Sequence, residues 1–338
     1  MHACQTDAGP RLGCHLSLGR KPEVSIGEAR AQGVECIQIF ASSPGAWKPP
    51  VVRPEESARS LAARRSQGID PLFIHAIYLI NLASTDHMLR ARSRSSLVAT
   101  LHAGEAMEAS GMVTHIGSHG GRGFVAVRDI VAAGLREVLA NTEDSIDLVL
   151  ENSAGAGGTL GSTLEELAAL LDATGGHPRL KIALDTAHLC GAGWDFSDPA
   201  TAVRLVSEVQ TLIGLDRLVL LHANDSKTPC GSHRDRHAVI GEGHIGREGF
   251  QQLLAQPELR RIPWILETPD LDTRLSPEQR FVSIHALRSL MDSVESLSAA
   301  ADVFPRSTAP QGDMPCTDIR IGGMVEQLVV PSKGAEGC

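Results

Sequence analysis

The feature that most constrains the fold is a regular alternation of short apolar segments with longer amphipathic ones. The amphipathic segments predict helices, for example Pro54–Gln67, Ala126–Ala140, Thr163–Leu171 and Ala200–Ile213. Eight apolar segments predict strands: Arg11–Ser17, Val34–Phe40, Pro71–His75, Met112–Ile116, Ile146–Glu151, Leu180–Asp185, Leu218–His222 and Ile262–Glu267. Eight such repeats over about 280 residues predict a (β/α)₈ TIM barrel. A doubly wound sheet is the alternative that has the same rhythm.

The end of the chain has a different character. After residue 293 the sequence becomes rich in proline, serine and glycine, including Pro305, Pro310 and Pro315. We therefore expect residues 1–293 to form a barrel domain and residues 294–338 to form a linker and a partly disordered tail. Within the tail, Ile319–Val330 is the segment best able to form a short regular element.

The amino-acid composition indicates the cellular compartment and the kinds of partner that the chain can have. The seven cysteines are scattered and form no CxxC pair, which favours a reducing, cytoplasmic compartment over a disulfide framework. No apolar run of about 18 residues is present, so no membrane span is expected. The formal net charge of −9 speaks against non-specific DNA binding, although metal cations at a site would change the charge locally.

A potential metal ligand stands at the end of each of the last six predicted strands. These residues are His75, His115, Glu151, Asp185, His222 and Glu267. In a parallel barrel the carboxyl ends of the strands meet on one face, so the six side chains should converge there. Imidazole nitrogens and carboxylate oxygens suit Zn²⁺ or Mn²⁺, and neighbouring buried carboxylates need cations between them.

Each of these residues also has a purely structural explanation. A single histidine at the end of a strand is more often a hydrogen-bonded structural residue than a ligand. Asp185 could cap the following helix, and Asn224-Asp225-Ser226 could form an Asx turn. Only the coincidence of all six positions favours a metal centre.

Several motifs resemble signatures of the endonuclease IV family, in the order and at the spacing of that family. The resemblance extends from about residue 13 to residue 268. The matching segments are His75–Ala83, His115–His119, Glu151–Gly155, Asp185–His188, His222–Lys227, Asp235–His237 and Ile240–Gly246.

This resemblance implies a trinuclear zinc centre with nine ligands, all of which the sequence retains. His75 and His115 would hold one zinc, and Glu151 would bridge it to a second zinc held by Asp185, His222 and Glu267. His188, Asp235 and His237 would hold the third. Mn²⁺ is an alternative at one site. Glu151 and Glu267 are the expected catalytic residues, Glu151 orienting the attacking water and Glu267 receiving its proton.

The resemblance also implies the substrate. We expect double-stranded DNA with abasic or 3′-blocked lesions to be cut 5′ to the lesion by a monomeric hydrolase, giving 3′-hydroxyl and 5′-deoxyribose phosphate ends. Tyr78, Leu79, Trp47 and Arg236 are the expected DNA contacts. Tyr78 is the only tyrosine, and a Tyr–Leu pair could wedge into the minor groove. The alternative is that Tyr78 is a loop aromatic that covers the edge of the barrel. The recognition loop departs from some family members, because Gly45 stands where those members carry an arginine.

Two other functions fit parts of the pattern. Metal-dependent sugar isomerases and epimerases on the same barrel also end strands in Glu, Asp and His, but they need only one or two metals. A non-catalytic DNA-binding barrel could keep the fold without the chemistry. Asp235 and His237 together with His188 have no role in a sugar isomerase, and unpaired buried carboxylates are costly for a non-catalytic barrel.

Overall fold

Eight parallel strands close into a barrel in the computed structural model, which describes residues 9–142 and 145–303, with side chains as far as residue 296. Each strand pairs with its neighbours in the sequence, and the last pairs with the first. The barrel strands are β1 (Leu12–Leu16), β2 (Cys36–Phe40), β3 (Leu72–His75), β4 (Gly111–Thr114), β5 (Asp147–Glu151), β6 (Leu180–Asp185), β7 (Leu218–His222) and β10 (Trp264–Leu266).

Helices follow the strands in sequence and cover the outside of the barrel. They are α1 (Pro22–Ala31), α2 (Pro54–Gln67), α3 (His87–Ala106), α4 (Phe124–Ala140), α5 (Leu164–Ala173), α6 (Thr186–Ala192), α7 (Pro199–Leu212), α8 (Gly246–Leu254) and α9 (Val282–Val303). Several begin at favourable capping residues; for example, the Thr163 side chain accepts a hydrogen bond from the backbone N–H of Glu166. No helix within the described part of the chain is long and apolar enough to cross a membrane.

The predicted (β/α)₈ barrel is confirmed, and the predicted strands differ from the observed ones mainly at their ends. Strand β4 ends at Thr114, one residue before His115, whereas the sequence predicted a strand to Ile116. Strand β10 likewise ends at Leu266, one residue before Glu267. Both residues lie where the chain leaves the ladder of hydrogen bonds and turns toward the next loop.

Inside the barrel, a layer of apolar side chains is followed by a layer of polar ones at the carboxyl end. One residue from each of seven strands forms a small apolar cluster separate from the main core: Cys36, Phe73, Val113, Val149, Ala183, Leu220 and Ile265. Side chains two residues apart point to the same side of a strand. The next inward position, two residues further along each chain segment, is polar in every case: Gln38, His75, His115, Glu151, Asp185, His222 and Glu267. On β1 the corresponding pair is Gly13 and His15.

Two further features bear on the site and on the domain boundary. A short antiparallel ribbon, β8 (Asp225–Ser226) with β9 (His237–Ala238), lies in the long connection after β7. Helix α9 continues through residue 293, where we predicted the barrel domain to end, and the compact unit extends to Ser298. Most of the predicted tail, including Ile319–Val330, lies outside the described residues.

Candidate metal centre

The six ligand candidates at the strand ends lie together at the carboxyl end of the barrel. Four are almost completely buried: His75, Glu151, Asp185 and His222. His115 and Glu267 are partly exposed, and both immediately follow a strand. The barrel therefore brings together residues that are far apart in the sequence, because the strands carry them to one level of the same interior.

Glu151 is the centre of this group. Its Oε2 atom lies 3.2 Å from His75 Nε2 and 3.5 Å from His115 Nδ1. Its Oε1 atom lies 2.9 Å from His222 Nδ1 and 3.5 Å from His188 Nδ1. A carboxylate with imidazoles facing both of its oxygens can contribute to two cation sites at once.

A second group forms where the β8–β9 ribbon meets helix α6. His188 lies in the first turn of α6, and its backbone N–H donates to Asp185 Oδ1 at 2.9 Å. The two oxygens of Asp235 lie 3.2 Å from His188 Nε2 and 3.2 Å from His237 Nε2. His237 Nε2 is also 3.5 Å from Asp185 Oδ2. The ribbon thus places His237 and Asp235 against the barrel end.

The donor atoms form three overlapping sets, within each of which they lie no more than 4.8 Å apart. Two of the sets share Glu151, and two share Asp185. The sets are His75, His115 and Glu151; Glu151, Asp185, His222 and Glu267; and Asp185, His188 and His237. Nitrogen and carboxylate oxygen donors in groups of three or four fit Zn²⁺. His237 Nε2 is buried and has no hydrogen-bond partner among the described residues, as expected of a ligand atom.

The electrostatics of the group favour positive charge. Burial lowers the pKa of His222, but the carboxylates of Glu267 and Glu151 outweigh burial and raise it to about 9. Burial also lowers the pKa of His237, but the carboxylates of Asp185 and Asp235 outweigh burial and raise it to about 9. Burial raises the pKa of Asp235, but the adjacent imidazoles of His188 and His237 outweigh burial and hold it well below its usual range. Protons or divalent cations are therefore strongly stabilised here, and cation binding would displace protons.

Backbone carbonyls fix the orientation of three of the histidines. His75 Nδ1 donates to the carbonyl of Ala76 at 2.7 Å. His188 Nδ1 lies 3.0 Å from the Asn152 carbonyl, and His237 Nδ1 lies 3.0 Å from the Glu267 carbonyl. Because a carbonyl can only accept, these contacts place a proton on Nδ1 and leave Nε2 for a ligand, an arrangement common around protein metal sites.

Sequence reasoning missed polar residues that hold the ligand candidates. Asn224 donates to Asp185 Oδ2 at 2.6 Å and accepts from the backbone N–H of Glu267 at 2.8 Å. Gln38 and His15 both contact Glu267. The available signal was a glutamine inside the apolar strand Cys36–Phe40 and a histidine near the end of the first strand.

Only two of the four predicted DNA contacts line the cleft above the ligand candidates. Tyr78 and Leu79 border a cleft of about 630 Å³ that also exposes His115 and Asp235. Tyr78 is 57% exposed and packs edge-on against Phe40. The other two predicted contacts lie outside this cleft. Trp47 packs partly on the core, and the guanidinium of Arg92 lies 4.8 Å from the centre of its ring. Arg236 is exposed and lies beside the ribbon.

Comparison with known proteins agrees with this geometry. Residues 26–290 match the family described as the xylose isomerase-like TIM barrel. A probable endonuclease 4 of Natranaerobius thermophilus is 39% identical over 259 residues, which are 77% of this chain and 91% of the relative. The crystal structure of endonuclease IV from Thermus thermophilus superposes with a TM-score of 0.73 at 33% identity, over 84% of this chain and 100% of that one.

A sugar epimerase barrel is similar in fold alone. The crystal structure of a D-tagatose 3-epimerase-like protein superposes with a TM-score of 0.64, but its sequence is only 19% identical, over 85% of this chain and 99% of that one. The endonuclease relatives are thus nearer in sequence by a wide margin. Taken with the barrel and the converging histidines and carboxylates, the comparisons show that the chain belongs to the endonuclease IV family of DNA-cleaving hydrolases.

Proposed function

We propose that the protein repairs DNA by hydrolysing the phosphodiester bond 5′ to abasic sites with three zinc ions, leaving 3′-hydroxyl and 5′-deoxyribose phosphate ends. The observation that carries the proposal is the convergence of eight donor side chains in three overlapping sets at one end of the barrel, with Asp235 as a ninth beside His188 and His237. Membership of the endonuclease IV family supports DNA as the substrate.

The contacts support one ligand assignment for each zinc. His75 and His115 would hold the first, because both face Glu151 Oε2. Asp185, His222 and Glu267 would hold the second, with Glu151 shared between the two. His188, Asp235 and His237 would hold the third, since Asp235 has one oxygen near each histidine.

Zinc ions bound there would supply Lewis-acid activation of a water molecule at neutral pH and stabilise negative charge on phosphate oxygens. Three Zn²⁺ ions against the four carboxylates would leave a charge of about +2, which would anchor a phosphodiester in an acidic protein. The protein's own residues then orient the reactants. Glu151 would orient the attacking water, and Glu267, at the edge of the cleft, would receive its proton.

The cleft suggests how the lesion is held. It is large enough for a nucleotide turned out of the duplex, and it leads from Tyr78 and Leu79 down to the ligand candidates. Tyr78 would cover the base stack left by the displaced nucleotide, with Leu79 beside it. Arg236 would contact a phosphate, and Trp47 would support its loop from the edge of the core.

The oligomeric state, the compartment and the range of lesions are also part of the proposal. We propose a monomer that acts in the cytoplasm on abasic or 3′-blocked lesions. The four cysteines within the described residues, Cys14, Cys36, Cys190 and Cys230, are free thiols, which suits a reducing compartment. A sugar isomerase would leave the third donor set without a role.

Metal analysis combined with a cleavage assay tests the proposal. The purified protein should contain about three zinc ions per chain and should cut a duplex that carries one abasic-site analogue, but not the same duplex without it. The cut end should be extended by a DNA polymerase without further treatment, because it carries a 3′-hydroxyl. One or two metals per chain, with turnover of a ketose and no cleavage, would instead favour the isomerase.

A further inference from the structure

Gln38 is the one residue in the polar layer of the barrel that is completely buried yet belongs to none of the donor sets. It occupies the same position on β2 that His75, Glu151 and His222 occupy on their strands, two residues beyond the apolar cluster. Its neighbours on β2 are apolar, so its amide must find hydrogen-bond partners inside the barrel.

The amide finds three partners there. Gln38 Oε1 lies 3.0 Å from His222 Nε2 and accepts its proton. Gln38 Nε2 lies 2.6 Å from Glu267 Oε1 and 3.1 Å from His15 Nδ1. The reverse orientation of the amide would bring two oxygens together at Glu267, so this network allows only one orientation.

We propose that Gln38 is a positioning residue that sets two ligands of the same metal at once. It holds the proton of His222 on Nε2, which leaves Nδ1 facing Glu151 Oε1 at 2.9 Å and Glu267 Oε2 at 3.6 Å. It also engages Glu267 Oε1, which leaves Oε2 on the side of the donor set. The inference rests on the proposed function and adds a residue that acts through His222 and Glu267.

The two bonds act together because a single rigid amide makes them. His222 and Glu267 come from different strands, β7 and the end of β10, and Gln38 reaches both from β2, across the barrel. Its own strand fixes Gln38, since β2 pairs with both β1 and β3. Loss of the amide would free the ring of His222 and the carboxylate of Glu267 to rotate independently, and would leave a buried N–H without a partner.

The test is the zinc affinity of Gln38→Met, which removes the amide but keeps the length of the side chain. Gln32→Met is the matched control, because Gln32 Oε1 also accepts from a histidine, His285 Nε2 at 3.0 Å, but at the other end of the barrel. Metal-free proteins are titrated with Zn²⁺ against a competing chelator, and the absorption spectra of the Co²⁺ forms are compared.

In Gln38→Met we expect one zinc site to weaken by roughly 10- to 100-fold and the Co²⁺ spectrum to change. Gln32→Met should bind zinc like the wild type. A merely structural role would lower the melting temperature of the metal-free protein without weakening one site selectively. If Gln38→Met does not fold, Gln38→Leu serves in the same comparison.

Zinc affinities and Co²⁺ spectra that are the same for wild type and both variants would overturn the role of Gln38 and leave the proposed function intact. A wild-type protein that binds no zinc and cuts no abasic duplex would refute the proposed function instead.

Discussion

The two halves of the candidate metal centre are built in different ways. One half comes from strand ends inside the barrel, where Glu151 and His222 are at most 1% exposed. The other half includes residues of the long connection after β7, where the side chains of Asp235 and His237 are 50% and 17% exposed. Strands hold the first set in place with hydrogen-bonded neighbours on both sides, whereas the second set depends on how one connection folds.

A buried carboxylate organises that connection. Asp225 is fully buried, and its two oxygens accept hydrogen bonds from the backbone N–H groups of Ser226, Gly241, Gly243, Ile245 and Gly246. These bonds gather the chain on both sides of the β8–β9 ribbon. The barrel therefore orders its ligand candidates through the sheet, whereas the connection orders its ligand candidates through Asp225, which is not itself a member of a donor set.

Breaking the strand-borne half should have the largest effect. Glu151→Gln replaces the carboxylate on which four histidines converge with a neutral amide. We expect cleavage of an abasic duplex to fall by more than about a thousandfold, or about 4 kcal/mol of transition-state stabilisation, with DNA affinity largely kept. Single-turnover kinetics and zinc analysis measure both effects.

The matched control for that substitution is Glu165→Gln, in the exposed first turn of α5. It makes the same chemical change away from the centre and should leave both cleavage and zinc content unchanged. Cleavage by Glu151→Gln within tenfold of wild type would contradict the assignment of a shared ligand.

Breaking the other half should have a smaller and separable effect. His237→Ala removes a donor near both Asp185 and Asp235 but leaves the contacts of Glu151 in place. We expect about one zinc fewer per chain and roughly a hundredfold slower single-turnover cleavage, since one charge-stabilising group is lost from the reaction. His102→Ala on helix α3 is the control. Unchanged zinc content and cleavage would mean that no third site exists.

The ring of Tyr78 should contact the base stack that the displaced abasic nucleotide leaves behind. Tyr78 stands above the strand-borne half, with its ring centroid 5.7 Å from that of His75 and more than half of the residue exposed. Tyr78→Ala should weaken binding of the abasic duplex by about tenfold through loss of stacking, whereas Tyr78→Phe should bind nearly as the wild type does. Equal weakening in both variants would assign the effect to the hydroxyl instead of the ring.

The difference between ligand candidates at strand ends and those in the connection after β7 also explains which of them the sequence could predict. Strand ends follow from apolar segments, and the period of two places one inward residue on each strand, so the six strand-end candidates could be proposed without a structure. Gln38 could not, because a single polar residue in an apolar strand is equally consistent with several structural roles. Its meaning depends on His222 and Glu267, which are about two hundred residues away in the sequence.

The connection after β7 was harder to predict. Strands of two residues, such as Asp225–Ser226 and His237–Ala238, are too short to give a periodic signal. His188, Asp235 and His237 came to attention only through a resemblance to a family. Trp47 and Arg236 stay predicted DNA contacts, and neither lines the cleft. The positions of loop residues depend on tertiary contacts that sequence patterns do not encode.

The smallest expected effect comes from the exposed residue between the two ligand candidates of the connection. Arg236 donates to the backbone carbonyl of its neighbour Asp235, and its side chain lies outside the donor sets. Arg236→Ala should therefore keep the full zinc content and the single-turnover rate at saturating protein, while DNA binding weakens a few-fold. If the guanidinium contacts a phosphate, the slope of log affinity against log salt should become shallower by about 1, equally for abasic and intact duplexes. Arg128→Ala, on the exposed surface of α4, is the control for loss of a positive charge. A lost zinc ion in Arg236→Ala would show that the connection cannot separate DNA binding from metal binding, and an unchanged salt slope would remove Arg236 from the DNA interface.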